Sequence, residues 1–201
     1  MLWSVSCPFT RFNNMTCSTG YHPWFSYLIS TQPTLSKDDH YRSLFLGSSP
    51  KPEHVQAYQT LLDSLPEPTP ISDVLVELRR NLADFPQAML GEVGLDRSFR
   101  VPFDYFASPR RLTPFVIPLH HQLVVLEAQL DLAVEFGRNV SLHSVKSQLC
   151  TTELLQKMQH KFHDRWSRIN IDIHSCGLSP ETWRDIEACH DCVCVFELQH
   201  S

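Results

Sequence analysis

No apolar run in this chain is long enough to span a bilayer, and residues 1–14 lack the apolar core and small-residue cleavage site of a signal peptide. These absences predict a protein without a membrane span, in a reducing intracellular compartment, cytoplasmic or nuclear. A basic excess is also missing. Seventeen Lys and Arg stand against 22 Asp and Glu, a net charge of −5, so only a local basic cluster could hold nucleic acid. Paired cysteines at zinc-knuckle spacing are absent too. The seven cysteines (Cys7, Cys17, Cys150, Cys176, Cys189, Cys192 and Cys194) are odd in number, and the last three overlap a strand-like run, so buried free thiols are expected. What is present is a globular composition, 42% hydrophobic and 19% charged over 201 residues, enough for one domain with a sizeable core.

Residues 1–19 are mixed and aperiodic, and nothing in them reads as a buried strand. Gly20-Tyr21-His22-Pro23-Trp24-Phe25 follows, an aromatic loop with one histidine. It reads either as a turn whose aromatics cap the core or as a pocket wall that brings His22 near a substrate. Residues 31–51 read as loop. Helices are expected over Glu53–Leu65, with Pro52 in its first turn, and after a cap at Ser72, where Val74, Leu75, Leu78, Leu82 and Phe85 form a stripe. Ala88–Leu90 then reads as a short buried strand. The glycines Gly91 and Gly94 turn the chain after it, and Glu92 falls at its carboxyl end.

A proline-rich connection over 97–119 interleaves Arg97, Arg100, Arg110 and Arg111 with Phe99, Phe103, Tyr105 and Phe106. Arginines hold phosphates and aromatics stack on bases, so it could guide a single strand of nucleic acid. The alternative is a surface loop pinned to the body by its rings. His121–Phe136 is the clearest helix, with Gly137 at its C′ position. The strand Val140–Leu142 ends in His143, a helix covers Glu153–Phe162, and the strand Ile169–Ile173 ends in His174. A helix over Glu181–Ala188 and a strand over Cys192–Phe196 close the pattern. Strand and helix alternate from Gly91 onward, and His143 and His174 are 31 residues apart, about one βα repeat. Such alternation predicts an α/β fold with a parallel sheet of the TIM-type (β/α) barrel kind. In that arrangement Glu92, His143 and His174 converge on one face as a metal site. Zinc held by two histidines and a carboxylate, with a position open to water, is sound chemistry, and manganese or magnesium are alternatives.

The run Gly91-Glu92-Val93-Gly94-Leu95-Asp96, the pair His143-Ser144 and the turn His174-Ser175-Cys176-Gly177 resemble the TatD-related deoxyribonucleases, metal-dependent hydrolases built on an amidohydrolase-like barrel. Gly20-Tyr21-His22-Pro23 is similar to that family's Gly-x-His-Pro loop. Trp24 and the long insertion look most like a fungal branch, one member of which is described as interacting with an anaphase-promoting-complex subunit. The resemblance covers about residues 20–196 and implies a two-metal phosphodiesterase acting on DNA ends. Glu92 would bridge the metals, and His143 and His174 would ligate them. His22, Lys146, Arg97 and Arg100 would contact the substrate. The family's His-x-His strand and late metal-binding aspartate have no counterpart. The expectation is therefore an incomplete barrel over 20–201 behind a divergent segment 1–19, truncated at both ends, with one metal or none and impaired activity. An inactive interaction protein on a degenerate barrel is the alternative, and a fragment that does not fold stably is the third reading.

Overall fold

The computed structural model describes residues 17–175, residues 177, 181, 184 and 186, and the strand Val193–Val195. Within them, parallel strands alternate with helices as in part of a TIM-type barrel. Five strands form one sheet in sequence order: β1 (Ser18–Thr19), then β4 (Met89–Asp96), β5 (Val140–Val145), β6 (Ile171–His174) and β7 (Val193–Val195). Every pairing in it is parallel. Two short strands between them, β2 (Ile29–Ser30) and β3 (Thr69–Pro70), pair separately. Five α-helices are described: α1 (Lys37–Phe45), α2 (Pro52–Leu62), α3 (Ile71–Asp84), α4 (Leu119–Phe136) and α5 (Gln148–Phe162). None of the described helices is long and apolar enough to cross a membrane.

Several elements depart from the sequence expectation. Helix α1 falls where residues 31–51 read as loop. Its inward face is made of His40, Tyr41 and Phe45 set among charges, so no aliphatic stripe announces it. The Ser36 hydroxyl accepts from the Asp39 N–H and donates to the Asp39 carboxylate, closing the first turn. Ser72 does not cap α3. The helix starts one residue after Pro70, and the Ser72 hydroxyl donates to Asp73 instead. Strand β4 does not end at Leu90 but continues to Asp96. The glycines inside it serve close approach between strands rather than a turn. A Cβ on Gly91 would lie 2.8 Å from Ser141 Cβ, and one on Gly94 only 1.9 Å from the His143 carbonyl oxygen. Gly137 does cap α4 in the left-handed conformation, φ 60°.

The main core lies between the sheet and helices α4 and α5. Leu90, Val93, Leu95, Leu142, Ile171 and Ile173 of the strands meet Leu126, Leu130, Leu155 and Met158 of the helices. The opposite side chains of the same strands, at every second position, are left to line the other face. The insertion over 97–119 folds onto the body: Val101, Phe115 and Ile117 are buried with Tyr41, Phe45 and Tyr58. Two of its four arginines stack on its own rings, Arg110 over Tyr105 at 4.2 Å and Arg111 over Phe103 at 4.1 Å. Of the cysteines, Cys150 is a half-buried free thiol and Cys17 is half-buried. Residues 1–16 and the expected thiols at Cys7, Cys176, Cys189 and Cys192 lie outside the described residues, as does most of the expected helix 181–188.

Candidate metal centre

Strand register builds this site. Gly94 pairs with His143, and His143 pairs with His174, so the three sit side by side across β4, β5 and β6. Glu92 and Asp96 flank Gly94 at the positions two before and two after it, on the same face. A one-residue irregularity between Leu90 and Val93 lies beside Glu92. Bulges of this kind re-aim a side chain, and Glu92 is the one exposed residue of a strand that is otherwise buried from Leu90 onward.

One oxygen of Glu92 gathers three imidazoles. Oε1 lies 2.5 Å from His174 Nε2, 3.2 Å from His143 Nδ1 and 3.7 Å from His22 Nε2. Contact with His143, His174 and His22, in that order of weight, holds the Glu92 carboxyl well below the usual carboxylate range. The same contact with Glu92 raises the His174 pKa above that of a free imidazole, against its partial burial. Asp172, two residues before His174, adds to that rise, and its buried Oδ1 has no hydrogen-bond partner.

His143 is held from both sides. Its Nε2 lies 3.3 Å from Asp96 Oδ2, and that carboxylate oxygen also accepts from Trp24 Nε1 at 2.6 Å. Asp96 Oδ1 accepts from the Ser98 N–H, the Ser98 hydroxyl and the Phe99 N–H. Burial opposes ionisation of Asp96, but donors from Trp24, Ser98 and His143 outweigh it and bring the carboxyl down to about 2. The Trp24 indole stacks on Phe99 at 4.8 Å and 12°.

His22 arrives from the 3₁₀ helix Pro23–Leu28, which it caps: its Nδ1 accepts the Trp24 N–H at 3.2 Å. Two buried histidines hold this helix in place, His40 Nε2 2.9 Å from the Tyr27 carbonyl and His121 Nε2 2.9 Å from the Ser26 carbonyl. Burial pushes both pKa values down. The folded state therefore keeps them neutral while the unfolded chain takes up protons below about pH 6.5. Stability from this source is present above pH 6.5 and is lost as pH falls below it. His174 works in the opposite sense, so the readout is differential. The gap in unfolding free energy between the wild type and His121→Gln, measured by urea denaturation, should narrow from pH 7.5 to pH 5.5, by at most about 1.4 kcal/mol for each pH unit below 6.5. A constant gap would contradict it.

The donor set suits a divalent cation. His143 Nδ1 is buried and has no properly directed hydrogen-bond partner, although it faces Glu92 at close range. With the Nε2 proton turned to Asp96, two lone-pair atoms face each other there, and a cation between them resolves the repulsion. Ligands of a tetrahedral ion with bonds of about 2.1 Å lie roughly 3.4 Å apart. The 3.2 Å separation of His143 from Glu92 lies close to that value and the 3.7 Å of His22 a little beyond it, whereas His174, at 2.5 Å, is in hydrogen-bond contact with Glu92 and would have to draw back to ligate. Ligand atoms of His22, Glu92 and His143 all lie within 4.8 Å of one another, a His/His/Glu cluster capable of coordinating a divalent ion. His22 joins it only by giving up its cap on Trp24, because Nδ1 is already an acceptor and Nε2 carries the proton.

Lys146 is exposed at the end of β5, and the exposed Arg97 reaches its carbonyl at 3.5 Å. Arg100 is exposed further along the insertion. Asp96 was invisible as a site residue in the sequence. The signal for it lies in the alternation Glu92-x-Gly94-x-Asp96, two carboxylates flanking a glycine on one strand face.

No protein-family profile matches the chain. It is 38% identical over 161 residues to the Cut9-interacting protein scn1 of Schizosaccharomyces pombe, covering 74% of this chain and 45% of that protein. It is 28% identical over 181 residues to the uncharacterized deoxyribonuclease YMR262W of Saccharomyces cerevisiae, covering 86% of this chain and 52% of that protein. The chain thus spans about half the length of the curated relatives it matches. With its parallel strands, its His/His/Glu cluster and these two relatives, the chain has a TatD-like fold of the deoxyribonuclease superfamily, related to the fungal scn1 and YMR262W proteins.

Proposed function

We propose that this chain carries part of a metal-dependent hydrolase of the TatD deoxyribonuclease type, acting on phosphodiester bonds in DNA. The observation that carries the reading is the single Glu92 oxygen shared by His143, His174 and His22, with the buried His143 Nδ1 left without a partner. Glu92, His143 and His174 would hold the ion, which when bound polarises a phosphoryl oxygen and acidifies water. His22, its Nδ1 occupied by the Trp24 N–H, would donate from Nε2 to a phosphate oxygen rather than ligate. Lys146 and Arg97, adjacent at the strand ends, supply positive charge for the neighbouring phosphate, and Arg100 extends it. Degradation of end-labelled DNA by the purified chain, with zinc, manganese or magnesium and again after chelation, tests the reading. Hydrolysis that needs the metal supports it, and hydrolysis that persists through chelation sinks it.

The relative named for its interaction with Cut9 favours a second reading, in which the same fold presents a protein-binding surface. Capture of a partner that survives both chelation and Glu92→Ala would favour that role over catalysis.

A further inference from the structure

We infer that Asp96 is the positioning residue that selects Nδ1 of His143 as the ligating nitrogen, and that Trp24 holds Asp96 in place for this task. The inference rests on the metal reading above, but its first readout belongs to the chain alone. A neutral histidine has one proton to place and two nitrogens to choose between. His143 sits between two carboxylates, Nε2 toward Asp96 and Nδ1 toward Glu92. The two are unequal. Asp96 is buried, its side chain 3% exposed, while that of Glu92 is 45% exposed and free to be satisfied by solvent.

Asp96 cannot turn away. Its Oδ1 is fixed by two backbone N–H groups and the Ser98 hydroxyl, and its Oδ2 by the Trp24 indole N–H. A carboxylate held in that orientation presents only an acceptor to Nε2, so the proton belongs there. Nδ1 then keeps its lone pair, in keeping with its lack of a directed hydrogen bond although it is buried 3.2 Å from Glu92 Oε1. Gly94 makes the arrangement possible: with no side chain between Glu92 and Asp96, the facing strand comes close enough for one imidazole to bridge both. Hydrogen bonds of this kind to the second ring nitrogen fix the tautomer of ligating histidines and are worth roughly 10–100-fold in metal affinity.

The test is Asp96→Asn, read first by ring ¹⁵N chemical shifts of His143 in the metal-free protein. The three donors on Oδ1 keep the amide oxygen on their side, so the amide NH₂ faces Nε2. The expected result is an Nε2–H tautomer in the wild type and an Nδ1–H tautomer in Asp96→Asn. Zinc affinity measured by calorimetry should fall about 10–100-fold. Trp24→Phe keeps the stack on Phe99 and removes only the indole donor. It should give a mixed tautomer and a smaller loss, so the idea stays testable if Asp96→Asn folds poorly. A wild-type His143 protonated on Nδ1 overturns the inference, and so does Asp96→Asn zinc binding within about twofold of wild type. If the wild type binds no zinc yet shows the Nε2–H tautomer, the metal reading fails while Asp96's control of the ring stands.

Discussion

Glu92→Ala is expected to abolish the thermal stabilisation that zinc or manganese gives the wild-type chain. An ion that binds only the native state, at 100 times its Kd, adds about 2.7 kcal/mol. For a domain of this size each kcal/mol moves Tm by about 2–4 °C, so the wild type should rise by roughly 5–10 °C. The variant should not move, because it lacks the one oxygen on which His143, His174 and His22 converge. Its metal-free Tm should stay within a few degrees of wild type, since the Glu92 side chain is nearly half exposed and fills no core space. The stabilisation should also weaken in acid. His174, its pKa raised by Glu92, must give up a proton before it can ligate, so binding releases a proton and loses affinity as pH falls. Unfolding scans after chelation, then with metal, at pH 7.5 and pH 6 decide the matter. Equal metal shifts in wild type and variant would remove Glu92 from the site.

The parts of this fold that could be read from the sequence are those whose burial repeats. Strands β5 and β6 and helices α2, α3 and α4 carry aliphatic residues at the spacing of their element, and the βα spacing of His143 and His174 follows from it. Helix α1 was hidden because its buried face is aromatic and histidine-bearing within a charged segment. The two-residue strands β1, β2 and β3 are too short to show any period. At the site, the residue types Glu92, His143 and His174 were legible, and their convergence follows from strand register. Two things were not. Asp96 matters through a pairing across β4 and β5, and the alternation Glu92-x-Gly94-x-Asp96 points to it only once residues 91–96 are strand rather than the turn the glycines suggested. The His22 assignment depends on a ring nitrogen committed to a local cap, so its chemistry is decided by the Trp24 N–H rather than by its neighbours in the cluster.

Gly94→Ala is expected to be the most damaging single substitution in the chain, worse than a cavity in the main core. An ideal Cβ there lies 1.9 Å from the His143 carbonyl oxygen and 2.7 Å from its carbonyl carbon, at φ 153°. These are backbone atoms of the paired strand and have no side-chain freedom with which to yield. Relief requires β4 and β5 to part, and that ladder seats Leu90, Val93 and Leu95 beside Leu142 in the main core. The cost should exceed about 4 kcal/mol, in the range reserved for named disruptions of this kind, against a total stability of about 5–15 kcal/mol. Gly137→Ala is the control. That glycine also has positive φ, 60°, but a Cβ would meet nothing within 4 Å, so only the left-handed backbone is strained, at roughly 1–2 kcal/mol. Urea denaturation of the two variants beside wild type compares them directly. Similar midpoints would mean that the close approach of β4 to β5 is not what demands glycine. The larger loss at Gly94 would tie fold and site together, since the contact that forbids a methyl group there is the one that lets the His143 ring reach both Glu92 and Asp96.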